Sequence, residues 1–593
     1  MRLVEIRLLD GPNVYRLEPA VKLEVAIGRR RTWFGERSPG RHAQVHLGAV
    51  VATKMAPASV RDLALWVRRL HDLAGAAAWL AEEGRAASAK RARIPVAIHR
   101  TSEPGHWVVS FPWRERERAE SIAASAHRLV ELDIRLNARP ADGAGGSRSL
   151  ARALRRAAEA GTTPPEWVRD RDRRVPAVSI SGTNGKSTTT RMIARIMRTA
   201  GKHVGMSTSD GVLIDDQMVE EGDLTGPLGA QRVLSDEYVD VAVLETARGG
   251  IVLRGVGYES NDASVLTNVS ADHLDLHGLH TLPELAEVKV VIARMTKTSG
   301  TVVLNADDPL VAAQARRLRA RIRFFTLDPR NPRVRRHTAR GGIAMVLEDG
   351  ALVEVEGPQR RRIVAVGEVP STVGGLARHN VANALAAAGA ARSLGASLRD
   401  VAAGLRDFRP SAEQAPGRLN LYRVGERLVI VDFAHNEAGL EVIFDLVDGL
   451  VGVRGVRTTP VVAIVGTAGD RPDDSLRAIG RLAAERADEL ALKETLRYLR
   501  GRTRESVVGE FRAGMASVGV ATAARMPVHE DEALALRAAL TDPGRLASGP
   551  GAAVVVLMCH THRAAVSDTL TELGAESVTD VDWLAGRATA GAA

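Results

Sequence analysis

The stretch Gly182–Thr190, which reads GTNGKSTTT, combines residue types suited to binding a nucleotide phosphate. Gly182 and Gly185 free backbone N–H groups that, together with a helix N-terminus, suit the dispersed charge of a triphosphate. Lys186 adds a mobile positive charge, and the hydroxyl of Ser187 can ligate Mg²⁺. The sequence therefore predicts that this loop holds the phosphates of a nucleotide.

The elements on either side of this loop are those that a phosphate loop requires. An apolar run at 178–180 precedes it as a strand, and apolar residues at helical spacing follow it until Gly201. The general phosphate-loop pattern has glycine where Ile180 stands, so the match is imperfect. The alternative is a turn with a chance GKS, and the strand and helix around the loop favour the nucleotide interpretation.

Acidic and imidazole side chains follow two further predicted strands. Glu245 closes the apolar run 239–244, and Asp272–His277, reading DHLDLH, comes soon after another apolar run and Asn268. Parallel strands bring their carboxyl ends to one edge of a sheet, which is where the phosphate loop also lies. Glu245 is therefore a candidate Mg²⁺ ligand, with an exposed strand-end glutamate as the alternative.

Composition limits the classes of protein to which this chain can belong. Its 593 residues predict three or four globular domains. No apolar run approaches the roughly 20 residues of a membrane span, so we expect no membrane partner and a cytoplasmic location. The single cysteine, Cys559, excludes an intrachain disulfide and a cysteine-cluster metal site.

The formal net charge of +10 raises the alternative of an arginine-rich nucleic-acid binder with ATPase activity. The basic residues are spread along the chain, and only 3% of residues are aromatic, so base-stacking platforms are scarce and we expect no nucleic-acid partner. Of the 81 basic residues only eight are lysines, two of which are Lys186 and Lys289. A lysine at a chemically plausible position therefore carries more weight than an arginine.

The pattern of elements predicts an α/β protein in three parts. Residues 1–165 alternate strand-like and helix-like runs as an α+β domain, and they end in a flexible stretch and a short helix. From 172 to 408 a repeated βαβ pattern predicts a doubly wound parallel sheet. Residues 409–593 form a third region with strands at 428–432, 461–466 and 552–558 between helices.

The motifs, taken in order, resemble those of the Mur ligase family of ATP-dependent amide-forming enzymes. GTNGKST resembles that family's phosphate loop, Glu245 its first metal ligand and His273 its second, and Lys289 falls where many members carry a carbamylated lysine. Further along, VLNADDP (303–309), HNVAN (379–383), PGR (416–418) and DFAHN (432–436) resemble later family motifs. The resemblance implies a central P-loop ATPase domain at 172–408 and a Rossmann-like C-terminal lid at 409–593.

The family resemblance implies specific residue roles. The catalytic residues are expected to be Lys186, Glu245, His273, Lys289 and Arg418. ATP is expected to contact Gly182, Thr183, Asn184, Gly185, Lys186, Ser187, Thr188, Asn380, Asn383, Arg418, Asp432 and His435. Two Mg²⁺ ions are expected, held by Ser187, Glu245, His273 and a carbamylated Lys289; Asp275 and His277 are expected to be structural.

Within the family, several segments are similar to the Mur-type half of cyanophycin synthetases, and residues 9–15 are similar to the start of their N-terminal domain. The ATP-grasp domain that separates these parts in those enzymes does not fit between residue 165 and Gly182. The resemblance implies that the substrate contacts Thr208, Asp210, Arg248, Arg254, Asp470, Arg471, Arg500 and Arg502.

The expected function is an ADP-forming amide ligase that activates a carboxylate as an acyl phosphate and couples it to an amino-acid amine. The first substrate hypothesis is arginine added to an aspartate-containing peptide, with a separate ATP-grasp enzyme as a partner and a homo-oligomeric assembly. The alternatives are a Mur-type ligase for an unrelated carboxylate and a non-catalytic peptide-binding scaffold that kept its nucleotide fold.

Overall fold

The structure is a computed structural model that describes residues 1–27, 55–74, 94–136, 147–271, 278–453, 456–457, 459–494, 499–519, 523, 526–542, 544–549 and 551–581. Within these residues, β-sheets of four, eleven and seven strands follow one another along the chain, with a two-stranded ribbon in the last part. No helix of the described ranges is long and apolar enough to cross a membrane.

The N-terminal part is an antiparallel sheet covered by helices, as the sequence predicted. Its strands, in the sheet order β1-β2-β4-β3, are β1 (Arg2–Leu9), β2 (Ala20–Ala26), β3 (Ala97–Arg100) and β4 (His106–Pro112). Its helices are α1 (Ala58–Leu73), α2 (Arg116–Leu136) and α3 (Ser147–Glu159). Val21, Leu23 and Val25 alternate along β2 and are fully buried in the core with α1 and α2.

The central part is built on a sheet whose middle is parallel and whose two edges are antiparallel hairpins. Its strands are β5 (Ala177–Ser181), β6 (Val204–Ser207), β7 (Gly211–Ile214), β8 (Gln217–Glu221), β9 (Val241–Glu245), β10 (Asn261–Leu266), β11 (Thr296–Asn305), β12 (Arg321–Thr326), β13 (Ile343–Glu348), β14 (Ala351–Glu356) and β15 (Gln359–Ala365). The sheet order is β15-β14-β13-β12-β11-β10-β5-β9-β6-β7-β8, and β13 through β6 run parallel. The predicted doubly wound parallel sheet is confirmed.

The central helices cover both faces of this sheet, which explains why its inner strands β5 and β9 are buried along their whole length. They are α4 (Lys186–Thr199), α5 (Pro227–Leu234), α6 (Arg248–Leu253), α7 (Leu282–Lys289), α8 (Val291–Arg294), α9 (Pro309–Ala313), α10 (Pro332–Thr338), α11 (Arg378–Ser393) and α12 (Leu398–Asp407). Short 3-10 turns occupy Gln314–Arg317, Val366–Glu368 and Pro370–Gly375. Helix α4 packs between α11 and α12 in the core beneath the phosphate loop.

The C-terminal part is a second α/β unit, as predicted. Its strands are β16 (Asn420–Val424), β17 (Arg427–Asp432), β18 (Gly452–Val453), β19 (Val456–Arg457), β20 (Val461–Val465), β21 (Glu489–Lys493), β22 (Val528–His529), β23 (Ala553–Met558) and β24 (Glu576–Ser577). Its helices are α13 (Glu437–Val451), α14 (Asp473–Arg486), α15 (Arg504–Ala516), α16 (Glu532–Thr541) and α17 (Arg563–Glu572), with a 3-10 turn at Leu546–Ser548. The main sheet has the order β22-β21-β20-β23-β17-β16-β24 and is parallel from β22 to β17. The three sheets match the predicted parts, while the domain boundaries themselves stay predictions.

Candidate active site

The phosphate loop lies where the sequence predicted it, between β5 and α4. Gly185 precedes α4 with φ +81°, and a Cβ there would lie 2.3 Å from Oδ1 of Asn383. The N–H of Thr183 donates to the carbonyl of Asn268 at 2.8 Å, and the N–H of Asn184 donates to the Asn268 Oδ1 at 2.9 Å. The end of β10 therefore anchors the loop, and only glycine fits at position 185.

Glu245 ends β9 beside the start of α4, and its buried carboxylate is the candidate cation ligand. The residue is 3% exposed, and its Oε2 has no hydrogen-bond partner among the described residues. Burial raises the pKa of Glu245, against the opposing effects of the Lys186 and Arg418 charges and of a hydrogen bond from Ser187. A buried carboxylate with a free oxygen next to a serine hydroxyl fits the ligands that Mg²⁺ prefers.

Lys289, the last residue of α7, also points into this region. It is 5% exposed, and its Nζ donates to the carbonyl of Gly182 at 2.7 Å, directly beneath the phosphate loop. His273 and the rest of the DHLDLH motif lie outside the described residues. Within the described part of the chain no three His, Cys, Asp or Glu side chains cluster as a metal site. The fit for one Mg²⁺ therefore rests on Ser187 and Glu245, and the second ion stays a prediction.

Arg418 reaches across from the C-terminal part to the phosphate loop. Its Nη2 donates to Ser187 Oγ at 3.4 Å and to Ser209 Oγ at 3.2 Å, and its guanidinium lies 4.1 Å from the ring centroid of Phe433. Lys186 lies on the other side of the same loop, where its Nζ donates to the carbonyl of Thr183 at 2.8 Å. Two cations from different parts of the chain therefore converge where the terminal phosphate of ATP is expected.

Asp210 joins the central and C-terminal parts through buried ion pairs. It accepts from Arg191 at 2.9 Å and from Arg563 at 2.6 Å. Burial alone would raise the pKa of Asp210, but the charges of Arg563, Arg418 and Arg191 outweigh it and lower the pKa. Asp210 was predicted as a substrate contact, and that role stays a prediction; in the structure it pairs with arginines and does not line the cleft.

The residues predicted to contact adenine and ribose lie on the same cleft. Asn380 and Asn383 stand one turn apart on α11, and the Asn383 amide donates to the Asn380 Oδ1 at 3.1 Å. Asp432 ends β17 and accepts backbone N–H groups from Leu419 at 2.7 Å and Ala434 at 2.6 Å, and burial raises its pKa. His435 follows in the same loop, where its Nδ1 lies 3.1 Å from the Phe433 carbonyl.

A cleft of about 1020 Å³ connects these groups, with walls from the central and C-terminal parts. Every expected ATP contact lines it, as do Glu245 and Lys289. Of the expected substrate residues, Arg248 and Arg254 line it from the central part, and Arg471 and Arg500 line it from the C-terminal part. Four arginines on the walls favour a negatively charged ligand.

The remaining expected substrate residues do not line the cleft. Thr208 is buried and shapes the loop after β6, because its Oγ1 accepts the N–H of Asp210 at 3.1 Å. Asp470 forms an ion pair with Arg500, and Arg502 pairs with Asp473 at 2.7 Å. Their substrate roles stay predictions, and in the structure they support neighbouring residues.

Sequence reasoning missed several residues of the site. Arg563 donates to Asp210, and Ser209 accepts from Arg418. After the end of β10, Thr267 and Asn268 hydrogen-bond to Asn184 of the phosphate loop. Arg563 follows β23 at the carboxyl edge of the C-terminal sheet, a position that could have drawn attention to it. The abundance of arginine in this chain hid that signal.

A buried charged cluster behind the cleft was also missed. The Lys493 ammonium donates to Glu532 at 2.8 Å with both side chains fully buried, and it lies 2.9 Å from Nδ1 of His560. The other ring nitrogen of His560 lies 2.7 Å from the carbonyl of Ala434. Because the ammonium occupies Nδ1, the N–H of His560 is on Nε2 and donates to Ala434. The cluster therefore supports the loop that begins at Asp432.

Comparison with known proteins agrees with this geometry. Residues 180–391 match the family model for the Mur ligase middle domain. Cyanophycin synthetase of Crocosphaera subtropica is 44% identical over 321 residues, which are 54% of this chain and 36% of that protein. Cyanophycin synthetase of Trichormus variabilis is 44% identical over 345 residues, 58% of this chain and 38% of that protein. The chain thus spans less than two fifths of these relatives, and the predicted resemblance to Mur ligases and cyanophycin synthetases is confirmed.

More distant relatives match as well. The UDP-N-acetylmuramoylalanine–D-glutamate ligase of Desulfitobacterium hafniense is 30% identical over 239 residues, 40% of this chain and 45% of that protein. Among solved structures, a bifunctional folylpolyglutamate synthase/dihydrofolate synthase with Mn, AMPPNP and L-glutamate bound is 20% identical with a TM-score of 0.48, covering 67% of this chain and 89% of that one.

Proposed function

We propose that the protein is an ATP-dependent, ADP-forming amide ligase, since residues 180–391 match the Mur ligase middle domain. One observation carries this proposal. Lys186 and Arg418, the candidate cation ligand Glu245, and the arginines Arg248, Arg254, Arg471 and Arg500 all line one cleft. A nucleotide and an acidic acceptor would therefore meet with the terminal phosphate next to the carboxylate.

The proposed reaction has two steps. An oxygen of the acceptor carboxylate attacks the γ-phosphorus of ATP, the bond to the bridging oxygen breaks, and ADP leaves. The amine then attacks the acyl carbon of the resulting acyl phosphate, phosphate departs with the carboxylate oxygen, and the amine loses a proton to form the amide. No covalent bond to the protein forms in either step.

The protein contributes mainly orientation and charge neutralisation. Lys186 and Arg418 stabilise charge on the transferring phosphate from two sides. Ser187 and Glu245 would hold Mg²⁺, which supplies Lewis-acid neutralisation of phosphate charge when bound. The two backbone N–H groups that Asp432 accepts hold its loop against the nucleotide side of the cleft.

The proposal for the acceptor side concerns Lys289 and His273. We propose that they hold a second Mg²⁺, with Lys289 carbamylated, since a primary amine on a buried helix end beneath the phosphate loop has the chemistry that carbamylation needs. An unmodified Lys289 in this position would instead act as a fixed positive charge.

For substrates, we propose an acidic, aspartate-containing peptide as acceptor and arginine as the amine. The wall arginines Arg248, Arg254, Arg471 and Arg500 support the acidic acceptor, and the 44% identity to cyanophycin synthetases supports this substrate class. We further propose that a separate ATP-grasp enzyme makes the peptide, that the protein acts in the cytoplasm where ATP is supplied, and that it assembles as a homo-oligomer.

The test is an ADP-release screen that crosses carboxylate acceptors, including aspartate peptides, with the amino acids as amine donors. The proposal predicts ADP release that needs both partners and is abolished in Lys186→Ala. Lys202→Ala, an exposed lysine just beyond the same helix, is the matched control and keeps full activity. ADP release that ignores the amine, or full activity in Lys186→Ala, contradicts the proposal.

A further inference from the structure

The loop that follows β1 joins the N-terminal part of the chain to the wall of the cleft. The N–H of Asp10 donates to the carbonyl of Arg254 at 2.6 Å, and the Asp10 carbonyl accepts the N–H of Gly257 at 3.0 Å. The N–H of Val256 donates to the carbonyl of Pro12 at 2.9 Å. Three backbone hydrogen bonds therefore fasten this loop to the segment that follows α6.

The loop is internally braced for this contact. Asn13 is 2% exposed, and its side-chain amide donates to the carbonyls of Gly11 at 2.9 Å and Glu18 at 3.1 Å. Its Oδ1 accepts the N–H groups of Tyr15 at 2.9 Å and Arg16 at 3.0 Å. One buried side chain thus satisfies four backbone groups and fixes the turn before it meets the central part.

Each side of this contact contains a glycine that lies close to the backbone of the other side. Gly11 has φ +97°, and a Cβ there would lie 3.2 Å from the nitrogen of Gly257 and 3.3 Å from the Trp167 ring. Gly255 has φ +82°, and a Cβ there would lie 3.0 Å from the carbonyl oxygen of Asp10. At both positions a side chain would make tight contacts with the opposite segment and would also be strained by the positive φ.

The segment held in this way carries cleft residues. Arg248 opens α6, Arg254 follows its end, and both line the cleft. A second contact reaches the neighbouring helix, because Ser102 Oγ donates to the Gly278 carbonyl at 3.2 Å and Glu103 pairs with His280 at 3.1 Å, just before α7. Helix α7 packs on α6 and ends at Lys289.

We propose that the N-terminal domain is a positioning element of the acceptor side of the cleft. The loop 9–13 fixes the segment 248–257, so that Arg248 and Arg254 are positioned for the acidic acceptor. The backbone hydrogen bonds that this loop makes to the central part go to Arg254, Val256 and Gly257 and not to the phosphate loop. Asp10, Gly11 and Asn13 are positioning residues, since they act through Arg254 and touch no substrate. The identity of the acceptor rests on the proposed function, whereas the mechanical link does not.

Hydrogen exchange followed by mass spectrometry tests the link without any substrate. In Gly11→Ala and Gly255→Ala, amide exchange across 248–257 is expected to accelerate about ten-fold or more, with the phosphate loop unchanged. Gly395→Ala is the matched control, because Gly395 has φ +98° and nothing within 4 Å of the added Cβ. Arg7→Ala removes one weak hydrogen bond to the Leu253 carbonyl, together with the ion pair of Arg7 with Glu5 inside the N-terminal sheet, without backbone strain. It is expected to give a smaller acceleration even if the glycine variants fold poorly. Unchanged exchange in 248–257 in these variants overturns the proposal.

Steady-state kinetics with a short aspartate peptide and free arginine test the consequence. The KM for the peptide is expected to rise about five-fold in Gly11→Ala, while the KM for ATP stays within the range of the Gly395→Ala control. The double variant Gly11→Ala/Gly255→Ala is expected to be no worse than the more affected single one, because both break one contact. An unchanged peptide KM, or an ATP KM that rises in parallel, contradicts a role in positioning the acceptor. A wild-type protein without ADP release refutes the proposed substrates, and the exchange result still decides the link.

Discussion

At the residue scale, the site is dominated by Glu245, a carboxylate whose burial is unfavourable without a cation. Its Oε2 has no partner in the described structure, and burial raises its pKa although Lys186 and Arg418 oppose that shift. Burying an imperfectly paired charge costs free energy of folding. A buried side chain that destabilises the fold in the absence of ligand is expected of a residue that binds a ligand.

Replacing the Glu245 carboxylate is expected to affect folding stability and Mg²⁺-nucleotide binding in opposite directions. Glu245→Gln keeps the shape of the side chain and removes the buried charge, so the nucleotide-free protein is expected to be as stable as the wild type or about 1–2 kcal/mol more stable. In thermal denaturation, Mg²⁺ with an ATP analogue is expected to raise the Tm of the wild type and to leave that of the variant nearly unchanged. A variant that loses stability without ligand and keeps the full Mg²⁺-nucleotide shift contradicts the assignment of Glu245 as a cation ligand.

Lys289 gives a second prediction at this scale. Lys289→Ala removes the amine that donates to the Gly182 carbonyl, and ADP release is expected to fall at least about 100-fold. A short carboxylic acid is expected to restore part of the activity if the native side chain is a carbamate. Lys297→Ala is the control, because Lys297 is more exposed and pairs with Asp262 away from the cleft. Normal ADP release in Lys289→Ala would remove this residue from the catalytic set.

At the element scale, the conformation of the phosphate loop depends on the strand before it, the helix after it and the packing of α11 against it. Gly185 immediately precedes α4 and has a left-handed backbone conformation. A Cβ at this position would lie 2.3 Å from the Asn383 Oδ1, so the phosphate loop and α11 are packed against each other. Thr189, one turn into α4, also donates to the Asn383 Oδ1 at 3.3 Å. Asn383, the proposed adenine contact, is therefore mechanically linked to the phosphate loop.

This link predicts the effect of a single methyl group. Gly185→Ala forces Asn383 away and strains the backbone by about 1–3 kcal/mol, so nucleotide affinity is expected to fall at least about ten-fold. Gly201→Ala is a matched control at the other end of α4, where φ is +78° and the new Cβ meets nothing within 4 Å. Binding of a fluorescent ATP analogue measures both. Equal affinities in the two variants would show that the contact with Asn383 is unimportant.

Local patterns were sufficient to predict these elements and most of the site. The apolar run before Gly182, the helical spacing after it and the strand that ends at Glu245 appear as β5, α4 and β9. Long-range pairings were not predictable in this way. The hydrogen bond from Arg563 to Asp210 joins residues 353 positions apart, and the local sequence around either residue does not indicate its partner. Burial of Thr208 and the pairing of Asp470 with Arg500 likewise depend on packing that periodicity does not encode.

At the scale of the whole molecule, side-chain contacts connect the C-terminal part to the phosphate loop and to the loop after β6. Arg563 pairs with Asp210, Arg418 donates to Ser187 and Ser209, and the Asn184 amide donates to the Asn436 Oδ1 at 3.4 Å. The expected adenine contacts Asn380 and Asn383 precede the connection between α12 and β16, whereas Arg418 lies within that connection and Asp432 follows it. We therefore expect the C-terminal domain to close over ATP as a lid.

The buried charge of Asp210 is expected to control this closure. Asp210→Asn removes the carboxylate that Arg191, Arg418 and Arg563 share, which is expected to cost about 3–5 kcal/mol of interaction between the two parts. Small-angle scattering is expected to show a larger radius of gyration than in the wild type and weaker compaction with an ATP analogue. Asp216→Asn, whose partners Arg195 and Arg198 belong to the same part of the chain, is the matched control. Identical scattering from the two variants would contradict a latch at Asp210.

The central claim is that ATP phosphorylates the acceptor carboxylate in this cleft, and isotope transfer tests it most directly. The acceptor is an aspartate peptide with heavy oxygen in its carboxylates, and the protein turns it over with ATP, Mg²⁺ and arginine. The account predicts ADP as the nucleotide product and one labelled oxygen in each inorganic phosphate released. Phosphate without label, or label in AMP, would contradict it, because the carboxylate would then not have attacked the γ-phosphorus.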